Sequence, residues 1–404
     1  MKKVFLSFAV LLMGCALFTA CGDDDDNNDV KPTPQPTPTD STAVDSTDVK
    51  RDTIVYSDGA YIVCAGNQSF SINSGLTYFD YAKGTATSDL FNAVNDKSLG
   101  VTANDGLVYG SKAYLVVDGE AMIDVVDAKT SELLKQISTT TLMGEAEGVN
   151  PRRIVAKDGC IFVSTYGGYV AVIDTVNYEL VAKLQAGSYP EGMAFSGKML
   201  FVANCDYGMG TNPSISIFST DVANKSFRKI IDLKDSLINN PISLVANGHD
   251  LYILCSDVYV YDPASGEYNF VSAGGLRKYS MQNQSGGAIK SITSAGIMTA
   301  SNGKIFFIDS PYYMPQYKVL DMANDSISSI EIAEGVDIPN TIGVDPVTGD
   351  IIVAGYQNNP DTGYGDYTAP GMAIRYDKTG KKLNKFETAV SPTAVFFNTG
   401  VKYE

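Results

Sequence analysis

Five stretches of the 404-residue chain concentrate side chains suited to gripping a ligand: NQSFSINSG from Asn67, YGGY from Tyr166, NCDYGMGTNPS from Asn204, SPYYMPQ from Ser310 and YQNNPDTGYGDYTAPG from Tyr356. Tyrosine, asparagine and glycine recur in them, a mixture that combines flat apolar contact with adaptable hydrogen bonding. The chain has 24 tyrosines and no tryptophan, so any stacking falls to phenol rings. Tyr207, Tyr312, Tyr313, Tyr356, Tyr364 and Tyr367 are the first candidates for ring contacts, with Asn67, Asn204, Asp206, Asn358 and Asp361 as polar partners. The chemistry these types offer is non-covalent binding of a large polar ligand.

Catalysis finds less to work with. The single histidine, His249, sits in NGHDLY, a predicted turn, so no Ser-His-Asp arrangement can be completed and a metal cluster would lack imidazole. Cys64, Cys160, Cys205 and Cys255 show neither close pairing nor metal-ligand spacing; each is expected to fill a strand position as a small hydrophobe, although an exported protein could oxidise a pair. A pair of carboxylates from separate units would leave no local motif and stays open. The expectation is a protein that is not an enzyme, with no metal and no resident cofactor.

The elements that must position the tyrosines are repeated. A glycine or serine turn followed by a short apolar strand recurs as GAYIVCA (Gly59), SKAYLVV (Ser111), GCIFVST (Gly159), GKMLFVA (Gly197), GHDLYIL (Gly248), GKIFFID (Gly303) and GDIIVAG (Gly349), in steps of 38 to 55 residues. A strand ending in aspartate keeps pace: LTYFD at Asp80, IDVVD at Asp127, VAVID at Asp174, VYVYD at Asp262, YKVLD at Asp321 and AIRYD at Asp377, the fourth unit departing with ISIFSTD. Those carboxylates are suited to holding the following turn by accepting from backbone amides. Pro151, Pro190, Pro241, Pro339 and Pro392 each precede a further short strand, at positions where no ladder donor is needed.

Each unit therefore reads as proline, inner strand, glycine turn, second strand, variable loop, third strand ending in Asp, turn and outer strand. Seven such units predict an all-β chain, a seven-bladed β-propeller of four-stranded antiparallel blades, over residues 51–404. Helical periodicity is confined to SDLFNAVNDK. In such a ring the loops between second and third strands share a face with the lead-ins to the inner strands. The tyrosine-bearing loops and the proline turns should crowd around one mouth. Arg152, Glu191, Asn340 and Thr393 follow the lead-in prolines and are candidates to point towards the central channel and a ligand, the alternatives being ordinary loop solvation or a bond across the mouth.

The chain begins differently. Lys2 and Lys3, the apolar stretch from Val4 to Leu17 and the small residues before Cys21 read as a signal peptide over residues 1–20, with Cys21 as the lipidated residue of an anchored protein. Residues 21–50 hold four consecutive aspartates and the run KPTPQPTPT, a composition that cannot bury a core and predicts an acidic, extended tether. The formal net charge of -16 makes nucleic acid a poor partner.

The glycine turn, xFVA, xVxVID and proline lead-in resemble YVTN-repeat propellers across the body. Asp23 to Asp26 directly behind Cys21 resemble the surface-export signal of Bacteroides-type lipoproteins. Together the chain is similar to the propeller lipoproteins of gut Bacteroides that capture vitamin B12. That resemblance implies a lipid-anchored protein on the outer-membrane surface, cobalamin or a related corrinoid as bound ligand, and a TonB-dependent outer-membrane transporter as partner. The residues themselves leave open two other classes, a glycan-binding or glycan-active propeller and a protein-binding, adhesive one.

Overall fold

Strands whose six residues are all buried are the first structural fact: Cys160–Thr165 has no exposed position, whereas Ser326–Ser329, at the other extreme, has no buried one. A strand covered on both faces reads as a continuous apolar run, which is why the second strands gave the clearest repeat. In the computed structural model, which describes residues 53–281 and 287–403, these strands belong to seven four-stranded antiparallel sheets and one separate two-stranded sheet. The protein is a seven-bladed β-propeller. The expected signal peptide, Cys21 and tether lie outside the described residues.

Alternation along each second strand builds the core. In Thr53–Cys64 of blade 1, Tyr61 and Val63 pack with Leu115 and Val117 of blade 2, while Ala60, Ile62 and Cys64 pack with Ile352 and Ala354 of blade 7. Successive side chains point to opposite faces of the sheet, so one strand serves both neighbours. Each junction between adjacent blades carries its own apolar cluster in this way.

The ring closes without a covalent link. The last strand, Pro392–Tyr403, is the innermost strand of blade 1 and runs antiparallel to Thr53–Cys64, from Thr53 opposite Tyr403 to Cys64 opposite Pro392. The first and last of the described strands thus share one ladder.

The prolines leave a mark on the ladders. Pro151, Pro190 and Pro241 each begin an inner strand and Pro339 is the second residue of one, and each is followed by a register shift against its second strand. Proline has no N–H to give the ladder and is tolerated at this bulge, where the next residue is released from the regular pleat; blade 2 makes the same shift after Ala103. Arg152, Glu191, Ile242 and Asn340 occupy those released positions.

Aspartates at the strand ends hold turns as their spacing predicts: Asp127 accepts from Lys129 N at 2.8 Å and Thr130 N at 3.0 Å, and Asp174 from Val176 N at 2.7 Å. Asp221 does the same for Asn224 N at 3.2 Å, so ISIFSTD is an ordinary third strand despite its lettering. One strand is corrected. VYVYD is not the third strand of blade 5; Val258–Asp262 and Glu267–Ser272 form an inserted two-stranded ribbon, and the third strand is Gly275–Ser280. SDLFNAVNDK contains the helix Leu90–Asn95, and a second short helix, Thr139–Met143, had no sequence signal. Cys64, Cys160, Cys205 and Cys255 are free and buried; Cys205 lies just beyond strand Met199–Asn204 and not within it.

Candidate functional site

Inner strands from all seven blades surround an axial cavity of about 470 Å³. Its wall mixes Arg152, Arg153, Asn340 and Thr393 with Met193 and Met298, and Tyr312 stands at its mouth. The lead-in residues also stitch the ring. Asn340 Nδ2 donates to Pro392 O at 2.6 Å, and Thr393 Oγ1 lies 3.2 Å from Val63 O and 3.1 Å from Ala103 O.

On the blade 3 and 4 side, charge is locked in place. Arg152 lies 2.8 Å from Asp118 and 2.9 Å from Glu191, with its guanidinium 4.4 Å above the Tyr166 ring. Burial works against the Arg152 charge, but Glu191, Tyr166 and Asp118 outweigh it and hold the guanidinium protonated above its ordinary range. Burial, then the Glu191 carboxylate that accepts its hydroxyl proton, pushes the Tyr166 phenol well up. Glu191 is itself buried, so it serves the arginines from within the wall and does not line the open cavity.

Tyr166 begins a cluster that continues outwards: its ring is 5.1 Å from Tyr189 and 6.0 Å from Tyr207, and those two are 5.0 Å apart. Tyr207 is 64 % exposed. It reaches that position through strained backbone, since Asp206 and Tyr207 have φ of +56° and +54°, a region costing about 1–2 kcal/mol per non-glycine residue. The Asp206 carboxylate holds the bend by accepting from Thr211 N at 2.9 Å, Thr211 Oγ1 at 2.6 Å and Asn212 N at 2.7 Å. Although burial opposes its charge, these bonds keep the Asp206 carboxyl below the usual carboxylate range.

A second aromatic group stands on blades 6 and 7. Tyr312, Tyr313, Met314, Tyr364 and Tyr367 are all exposed, Tyr313 to 84 %. Tyr356 lies half-buried beneath them, its ring 4.7 Å from Tyr367 and its hydroxyl 2.8 Å from Ser391 Oγ. Asn67 Nδ2 reaches from blade 1 to Tyr367 O at 2.9 Å. The loop between Tyr356 and Met372 is braced internally: Asp366 accepts from Thr368 N at 3.0 Å and Ala369 N at 3.0 Å, and Asn359 N donates to Tyr364 O at 2.7 Å.

The structure thus exposes Tyr207, Tyr312, Tyr313, Tyr364 and Tyr367 on mouth-side loops, with Asn358 and Asp361 exposed on the same loop as Tyr364. Two predicted polar partners need correction. Asn204 is fully buried, donating to Ser214 Oγ and Ser216 Oγ at 3.0 Å each and accepting from Gly187 N at 2.9 Å. Asp206, also buried, is the brace just described. Both shape the mouth without facing it. Tyr189 and Met209, each exposed, were missed; Tyr189 directly precedes a lead-in proline, a signal that was available.

No protein-family model matches the chain, and no curated protein matches it either. Among solved structures it is similar to a hypothetical selenium-binding protein from Sulfolobus tokodaii, with 8 % identity over 86 % of this chain and 94 % of that one and a TM-score of 0.58. It is also similar to the WD40 β-propeller domain of Doa1 (14 % identity, 75 % of this chain, 90 % of that one, TM-score 0.48). The WD40 repeats of RRP9 give 8 % identity, 73 % and 83 % coverage and a TM-score of 0.46. At such identities the likeness speaks for the fold alone.

Proposed function

We propose that this propeller, a fold consistent with binding a ligand or a protein, is a capture protein and not an enzyme: it binds a large, polar nutrient across the mouth and passes it to an outer-membrane transporter. The observation that carries the reading is the pair of exposed phenol groups, Tyr189 with Tyr207 and Tyr312 with Tyr364 and Tyr367, over one opening. Contiguous exposed aromatic patches mark interaction sites on folded proteins.

Cobalamin or a related corrinoid is the ligand we favour, and a lipid anchor at Cys21 with display on the cell surface the setting. Both rest on the resemblance of repeats and leader. Titrating cyanocobalamin into the purified protein with calorimetric detection tests this. Saturable heat that disappears when Tyr207 and Tyr367 are both changed to alanine is the expected result. Absence of heat with the native protein would remove the corrinoid from the proposal.

A further inference from the structure

The inserted ribbon of blade 5 has no counterpart in the other blades. Val258–Asp262 and Glu267–Ser272 form a sheet of their own, with Tyr259 opposite Phe270 and Tyr261 opposite Tyr268. All four rings therefore stand on one face of the ribbon, and they are 49 % to 70 % exposed. Among the described residues their only aromatic contacts are with each other, at 5.6 Å and 5.2 Å between centroids.

The base of the ribbon is clamped. Asn239 Nδ2 donates to Ser272 Oγ and Ala273 O at 2.9 Å each, and Gly274 N donates to Asp257 Oδ1 at 2.8 Å. Arg277, buried and among the described residues without a carboxylate partner, donates from Nη2 to Ala273 O at 3.1 Å and Gly274 O at 2.9 Å. Val258 is buried beside Gly210 of the blade 4 loop. A fixed base with an uncovered aromatic face is a surface organised before anything docks on it.

Charge selects the occupant. Between Ser256 and Leu276 the chain carries Asp257, Asp262 and Glu267 and no lysine, arginine or histidine. Like charges disfavour a second copy of this acidic chain, and nucleic acid or an anionic membrane for the same reason. The ring pairs are inclined at 67° and 55°, which gives no flat platform for a sugar face. Asp262 and Glu267, paired at the turn end, alternate with Tyr261 and Tyr268 and stand on the other face. Inclined aromatic faces on a ribbon whose charged side chains are all carboxylates instead suit cations, which are drawn to ring faces. Among the described residues neither outer edge of the two-stranded sheet has a third strand, so an extended segment can also pair along the backbone.

We propose that this ribbon is a docking surface for a protein partner that presents lysine or arginine between apolar side chains on an extended segment. It is independent of the ligand read for the mouth. Two labelled synthetic peptides test it on the full chain by fluorescence anisotropy, one alternating lysine with valine and one alternating glutamate with valine. The lysine peptide is expected to bind and to weaken as salt rises. The double variant Tyr261→Ser, Tyr268→Ser and, separately, Asp262→Asn with Glu267→Gln should each reduce its affinity about tenfold or more. Thermal unfolding should stay unchanged, because these side chains lie outside the blade clusters. Equal binding of the glutamate peptide, or lysine-peptide binding that survives both double variants, overturns the proposal. So does loss of cyanocobalamin heat or of polysaccharide binding in the same variants, which would give the ribbon to a small ligand or a glycan.

Discussion

Single residues divide into those that face the mouth and those that hold it, and the two kinds answer differently to substitution. Tyr207→Gly should relieve the left-handed strain, leaving unfolding temperature equal or higher, while ligand affinity falls about tenfold or more; a variant that keeps full affinity would deny Tyr207 its place in the site. Phe162 is the opposite case. It is fully buried between blades 3 and 4, 5.0 Å from Phe195 in edge contact, and Phe162→Ala should cost about 3–5 kcal/mol in denaturant unfolding without a specific change in binding. The tyrosines were legible in the sequence because their types and loop positions alone suggest contact. Asn204 and Asp206 were not, because a polar residue in a loop looks the same whether the loop turns it outwards or folds over it.

Acid should act through carboxylates that the fold holds ionised. Burial opposes the charge of Asp325, but Lys278, Tyr252 and Lys290 outweigh it and bring the carboxyl down to about 2. A folded value below the unfolded one means that this stabilisation is fully present above about pH 4 and is lost as pH falls from there towards 2. Melting temperature should therefore be nearly flat between neutral pH and 5 and drop below 4, and Asp325→Asn should flatten part of that drop. Cys64 gives a simpler readout: burial pushes its thiol to about 12, so it should resist alkylation at pH 8 until the protein is unfolded.

Elements were read well where their pattern is a consequence of burial on both faces, and poorly where it is only local. The second strands lie between neighbouring blades, so their apolar runs and the glycine turns before them could hardly mean anything else. VYVYD has the same lettering as a third strand, and its terminal Asp262 holds a turn by accepting from Ala264 N at 2.9 Å, as its counterparts do. Only the pairing of Gly275–Ser280 with Asp250–Cys255 shows that VYVYD belongs elsewhere. The braced loop between Tyr356 and Met372 is separable in the same sense. Replacing it with a short glycine-serine link should abolish ligand heat while unfolding changes little, since its exposed rings lie outside the blade clusters; a large loss of stability would make the loop part of the core.

At the scale of the whole ring, stability depends on the last strand meeting the first. Removing residues 392–403 takes the inner strand from blade 1 together with Ala394 and Phe396, which pack against blade 2. The truncated chain should lose cooperative unfolding in circular dichroism, whereas a deletion of similar length within the blade 5 ribbon should not.

The shared ladder has another consequence, for chain order. Thr53 and Tyr403 are paired neighbours, so a few residues would join them, and the exposed turn at Asn302 and Gly303 offers a place to cut. Such a circular permutant should assemble the same toroid with its seam sewn by peptide bonds and a new gap in blade 6.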